Sequence, residues 1–193
     1  MRLLDEAAVL ACAAYVDLNA IWAAMAETLE RSDHTSVQRR IEALVGRSGG
    51  EGDAEESSET CSASATGERP SADRFLAPLE IDEPQDPTGP CGSSSGFRSS
   101  DKGFLPLPVA AYLALLDWTA RQLREDKTGA TPASAGPLFE RLGMSPEVWC
   151  ALVRDFGRLF YAAAGKPHSV DGCRTRQGRH FKLRRAAREL LTV

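Results

Sequence analysis

Tyrosine, histidine, cysteine and a run of arginines are the side chains here that could do chemistry. Tyr15 sits in a helix-like stretch, residues 3–41, within the run Tyr15-Val16-Asp17-Leu18-Asn19. A phenol has an ordinary pKa of about 10, so it is a poor nucleophile at neutral pH unless a metal or base assists. The three histidines, His34, His168 and His180, offer little such help. No two are spaced to share one face of a strand, and each lies in loop-like or basic surroundings, so no metal site or cofactor is expected from this chain. The five cysteines, Cys12, Cys61, Cys91, Cys150 and Cys173, are scattered and never at CxxC spacing. A zinc site needs four ligands in short, clustered spacings. Reduced thiols of a cytoplasmic protein are the expected state.

The second chemical feature is charge. A formal net charge of -4 conceals two opposite segments. Residues 51–86 carry many Asp and Glu against Arg69 and Arg74. Residues 166–188 are basic, with Lys166, Arg174, Arg176, Arg179, Lys182, Arg184, Arg185 and Arg188 against Asp171. The seven cations from Arg174 to Arg188 are the candidate nucleic-acid-binding residues. They would engage phosphates without reading sequence, and such binding should weaken steeply with salt. His180 and Phe181 could add stacking on unpaired bases. A solvated basic helix, or one that folds back on the acidic segment, is the competing expectation.

The elements that must position these residues read as helices. The chain has 193 residues, 42% hydrophobic and 26% charged, as expected of one or two small soluble domains. No apolar run approaches the roughly 20 residues needed to span a bilayer. The first residues show no basic region followed by an apolar core and cleavage site. Neither a membrane partner nor secretion is expected, and the cytoplasm is the default compartment. Leu4, Ala8, Cys12, Tyr15 and Val16 recur at helical spacing behind Asp5 and Glu6. Asn19 could end or re-cap that helix, with a short second turn from Ala20 to Met25 following. A helix over 36–44 follows, with Thr35 and Gln38 as a capping box and Gly46 as its C′ residue. Residues 46–103 read as a disordered acidic linker, too polar to offset its ordering entropy. Its island from Phe75 to Ile81 could dock onto a neighbour.

Residues 104–193 read as a small helical bundle with a basic tail. Its first helix should begin near Pro108, present Tyr112, Leu113, Leu116, Thr119, Ala120 and Leu123, and stop at Thr128-Gly129. A short helix from Pro137 to Leu142 should end at Gly143. Ser145-Pro146 then reads as an N-cap and N1 pair opening a helix that runs to about Gly165. A last helix, 177–191, carries most of the basic charge. Strand signals are absent, so the fold class is all α. Residues 137–156 have the grammar of a helix-turn-helix, with Glu147 and Trp149 at the exposed start of the second helix. An ordinary antiparallel helix pair fits the same pattern.

The segment around Tyr15 resembles the tyrosine-bearing helix of the REP-associated tyrosine transposases, of the IS200/IS605 type. That family has a Tyr-x-x-x-Asn-Pro run; here Ala20 stands in place of the proline. The following residues, Ile21-Trp22-Ala23-Ala24, replace the family's arginine and glycine as well. The resemblance covers about the first 45 residues and implies that Tyr15 occupies the position of the nucleophile. In the family that tyrosine forms a 5′-phosphotyrosine on single-stranded DNA, assisted by Mg or Mn held by a His-hydrophobic-His pair. That pair belongs to a core preceding the helix, so the resemblance implies a C-terminal portion without the metal-binding core. Residues 1–45 would then be a remnant of the transposase domain. The expected function is that of a truncated transposase-like protein, without cleavage activity alone, that binds DNA through its basic C-terminal helix. Two alternatives stand beside it. One is a helical interaction module that docks an acidic protein. The other is a tyrosine donor that completes the site of a full-length transposase relative in trans.

Overall fold

A computed structural model describes residues 1–23, 29, 36–48, 79, 103–123, 132, 135–174, 178 and 180–192. Most of the acidic linker, the Thr35 cap, His34, Cys61, Cys91, Thr128-Gly129, Arg176 and Arg179 lie outside the described residues.

Helix α1 runs over Glu6–Trp22. Asp5 opens it in an extended conformation and accepts a 2.9 Å hydrogen bond from the Ala8 N–H, satisfying one of the first unpaired donors. The helix is apolar on almost every side. Leu10, Ala11, Ala14 and Leu18 are wholly buried, with Val9, Cys12, Ala13 and Tyr15 packed around them. A helix apolar all round belongs in the middle of a core, and alanine lets its neighbours come close. The innermost face is therefore not the expected stripe through Val16, which is 60% exposed. Nor does Asn19 end the helix: the Ala23 N–H closes it by donating to the Asn19 carbonyl at 2.9 Å.

Two helices pack near the start of the bundle. Helix α2, Ser36–Ser48, continues through Gly46 rather than stopping there and buries Val37 and Arg40. Helix α3, Val109–Gln122, starts after Pro108 as expected and buries Tyr112, Leu115, Leu116, Trp118, Thr119 and Ala120. It ends at Leu123, short of the expected Thr128-Gly129 stop.

Helix α4, Ala135–Leu142, ends as its sequence predicts. Gly143 adopts φ +57, its N–H donates to Glu140, and the Met144 N–H reaches the Phe139 carbonyl. These two bonds form a Schellman motif, whose left-handed residue favours glycine. Helix α5, Pro146–Arg154, follows, capped by the Ser145 hydroxyl. The expected single helix to Gly165 is broken. A short α6, Phe156–Leu159, begins after Asp155, and Phe160 is extended.

The extended chain after α6 corrects the all-α expectation. Ala163–Ala164 form β2, which pairs in parallel with β1, Arg2–Leu3. The Arg2 N–H donates to the Ala162 carbonyl at 2.9 Å and the Leu4 N–H to Ala164 at 3.0 Å. Asp5 strengthens this junction, because its second oxygen accepts the Lys166 N–H at 2.6 Å. The molecule remains mostly helical. Helix α7, Pro167–Asp171, and helix α8, Arg185–Leu191, complete it. Among its described residues the basic tail is thus helical only at its end. Among the described residues before α8, Arg174 and His180 pair as an antiparallel bridge and residues 180–184 are not helical.

One core joins both ends of the sequence. Helix α1 packs on α5, α3 and α6, while α8 packs on α5 through the wholly buried Ala187. The first helix therefore does not stand alone. Leu79, from the island in the acidic linker, is also buried, and its carbonyl accepts the N–H groups of Phe104 and Leu105.

Candidate functional site

Tyr15 is placed by α1 in an aromatic cluster. Its ring centroid lies 5.9 Å from that of Trp22 and 5.8 Å from that of Phe156, which in turn contacts Phe160 at 5.0 Å. Gly157 passes directly over the phenol: a Cβ there would lie 3.0 Å from the Tyr15 hydroxyl oxygen. Among the described residues no base or cation hydrogen-bonds this hydroxyl. Ring packing of this kind contributes about 0.5–1.5 kcal/mol per pair beyond area burial. Among the described residues, Tyr15 is thus surrounded by aromatic rings and by the backbone at Gly157.

A second cluster lies two residues further along α1. Asp17 is only 4% exposed. One carboxylate oxygen accepts the Ser36 hydroxyl of α2, and the other accepts the Tyr112 hydroxyl of α3 at 2.7 Å. Burial, and then the Asp17 charge, push the Tyr112 phenol well above its usual pKa, with Arg40 opposing the shift. Tyr112 is consequently a neutral donor locked onto a carboxylate. Arg40 is buried as well, its guanidinium 5.8 Å from the centroid of Phe104. These groups border a largely apolar cleft of about 270 Å³, with Val9, Cys12 and Val16 along its wall. Buried polar groups with satisfied partners fix the register of the helices that carry them, and this one ties α1, α2 and α3 together. Asp17 went unnoticed in the sequence as a site residue, although a carboxylate inside the apolar run from Ala13 to Ile21 was a signal for it.

Of the three histidines, His34 lies outside the described residues. His168 is exposed on α7, and the His180 ring Nδ1 lies 3.1 Å from the Asp171 carbonyl. Among the described residues no group of three or more His, Cys, Asp or Glu could hold a metal ion. Burial raises the Cys12 thiol pKa and pushes that of Cys150 up to about 11, which makes both poor nucleophiles.

The basic tail is divided by its partners. Arg188 makes a two-pronged ion pair with Asp171, at 2.6 and 3.0 Å, and holds the Asp171 carboxyl below its usual pKa. Arg185 pairs with Glu189 one turn on at 2.6 Å, although its side chain is 92% exposed. The Arg184 guanidinium donates to the Arg158 carbonyl, which draws α6 and the tail together. Arg158 itself is 89% exposed and only loosely paired with Asp155, at 3.8 Å. Lys182, two residues before Arg184, is exposed, and Arg174 donates to the Gly178 carbonyl at 3.5 Å. Arg158 was not among the sequence-predicted cations, because only the fold carries it to the tail. The Trp149 expected at an exposed helix start is wholly buried, its indole N–H donating to the Thr119 hydroxyl at 2.9 Å.

No helix among the described residues is long and apolar enough to cross a membrane. No protein-family model, no curated protein and no solved structure matches this chain.

Proposed function

We propose that this chain is a helical, transposase-like nucleic-acid-binding protein that engages the phosphate backbone through its basic C-terminal face and does not cleave strands by itself. The observation that carries the reading is the convergence of exposed cations. Arg184 bonds to the backbone of α6, which brings the chain segment with the exposed Lys182, Arg184 and Arg185 beside that of the exposed Arg158. Cations on one face contact phosphates without reading bases. The start of α5 offers Glu147 and a buried Trp149, so the reading rests on the tail and not on major-groove recognition by a helix-turn-helix. The surroundings of Tyr15 support a packing role for that side chain in place of nucleophilic attack.

The test is a fluorescence-anisotropy titration of labelled oligonucleotides over a range of salt. The intact chain is compared with the variant Arg158→Gln, Lys182→Gln, Arg184→Gln, Arg185→Gln. Deleting the tail would uncover the core around Ala187, so charge removal is the cleaner perturbation. Each lost phosphate contact lowers the slope of log affinity against log salt by about 0.9 on duplex DNA. The expected result is salt-dependent binding whose slope falls by roughly 3.6 in the variant. Absence of binding at low salt, or a slope that the four substitutions leave unchanged, refutes the reading.

A further inference from the structure

We propose that Tyr161 and Phe181, framed by Arg2, Arg158 and Arg184, form a stacking platform for the unpaired bases of a single-stranded nucleic acid. The inference rests on the phosphate-binding reading above and names the strand type that this face prefers.

Four separate pieces of chain meet at this place. Arg2 lies on β1, and its N–H donates to the carbonyl of Ala162, the residue after Tyr161. The Arg2 guanidinium lies 5.6 Å from the centroid of the Phe181 ring. Three residues on, Arg184 donates to the Arg158 carbonyl, and Arg158 precedes Tyr161 by three residues. The N-terminal strand, the end of α6, the loop into β2 and the tail are therefore held side by side by backbone and guanidinium contacts.

Tyr161 is the unexpected member. The core encloses Trp149, Tyr112 and Phe156 almost completely, yet Tyr161 is 82% exposed. Its neighbour Phe160 is only 4% exposed, so the chain turns one aromatic ring inward and presents the next to solvent. An exposed ring whose neighbouring chain segments carry cations suits a nucleobase. The ring takes up the base face while the guanidinium groups take up the phosphates on either side. A duplex keeps its bases stacked on one another and cannot use the ring, although it can use the cations. The predicted consequence is discrimination by strand type without discrimination by sequence.

Labelled oligothymidylate and oligouridylate of about 20 nucleotides, and a mixed-sequence duplex of about the same length, serve as probes. The full chain is titrated as wild type, Tyr161→Ala and Tyr161→Trp. Because Tyr161 is exposed, folding should be unaffected, which far-UV circular dichroism verifies. Tighter binding of single strands than of duplex is expected in the wild type. Tyr161→Ala should lower single-strand affinity at least about fivefold and leave duplex affinity within about twofold, while Tyr161→Trp keeps the preference. Photocrosslinking with a halogenated uridine oligonucleotide should map to Tyr161 or Phe181. If single strand and duplex bind equally and Tyr161→Ala changes neither, the platform is overturned while phosphate binding stands. If wild type binds no probe at low salt, phosphate binding itself fails and the platform with it.

Discussion

Replacing Tyr112 with phenylalanine removes one oxygen from a buried polar junction between α1 and α3. The Tyr112 hydroxyl donates to Asp17 at 2.7 Å, and both residues are nearly inaccessible to water. Hydrogen bonds to charged groups contribute about 1.5–3 kcal/mol net. Asp17 keeps the Ser36 hydroxyl and the nearby Arg40 charge, so its carboxylate is weakened but not abandoned. The loss should therefore fall near 2 kcal/mol, about a 30-fold change in the folding constant, and below the 3–5 kcal/mol of a broken buried ion pair. Urea unfolding followed by the fluorescence of the buried Trp149 measures it. Repeating the substitution in an Asp17→Asn background separates the charge from the hydroxyl. Against a neutral amide, Tyr112→Phe should cost only about 1 kcal/mol. The alkaline limb gives an independent check. A phenol whose folded pKa is raised contributes stability that is fully present below about pH 10, the unfolded value, and lost as pH rises above it. Wild type should thus lose stability more steeply above pH ~10 than Tyr112→Phe does. A loss below about 0.5 kcal/mol, or equal losses in the Asp17 and Asn backgrounds, would refute the reasoning.

Three further outcomes follow from close contacts. Gly157→Ala should destabilise by about 1–3 kcal/mol, since its Cβ would meet the Tyr15 hydroxyl at 3.0 Å. Adding Tyr15→Phe leaves the nearest ring carbon at 3.5 Å, so thermal unfolding should recover most of the loss; failure to recover would mean that Tyr15 is not the obstruction. Asp5→Ala removes both the cap of α1 and the acceptor for Lys166, and should cost about 2–3 kcal/mol in urea unfolding, while Asp5→Asn retains the cap and loses less. At pH 9, Cys150, with its pKa near 11, should hold only about 1% thiolate, so mass spectrometry should find it alkylated roughly 50-fold more slowly than a thiol of pKa 9.0. Comparable rates would show that burial does not protect it.

Local chemistry settled much of the architecture. Asp5 and Ser145 cap helices because short oxygen-bearing side chains satisfy free N–H groups, Pro108 and Pro146 mark helix starts, and Gly143 ends α4 because glycine tolerates φ > 0. Those signals lie within a few residues and need no knowledge of the fold. The same locality explains what was misjudged. The pairing of Arg2–Leu3 with Ala163–Ala164 spans only two residues per strand, too short for an alternating pattern to register. Helix α1 is apolar on nearly every side, so periodicity could not say that Val16 faces outward or that Asp17 faces in.

The sequence by itself determined a mostly helical chain, its principal caps and turns, and a basic C-terminal segment, because propensity, capping and charge are properties of short stretches. The tertiary structure alone decided which charges are available. Arg188 is held by Asp171 and Arg158 is brought to the tail by Arg184, through contacts between residues 17 and 26 positions apart. It also decided the surroundings of Tyr15 and the partners of Asp17. A carboxylate, a hydroxyl on another helix and a glycine above a phenol become neighbours only when separate helices bury a common core.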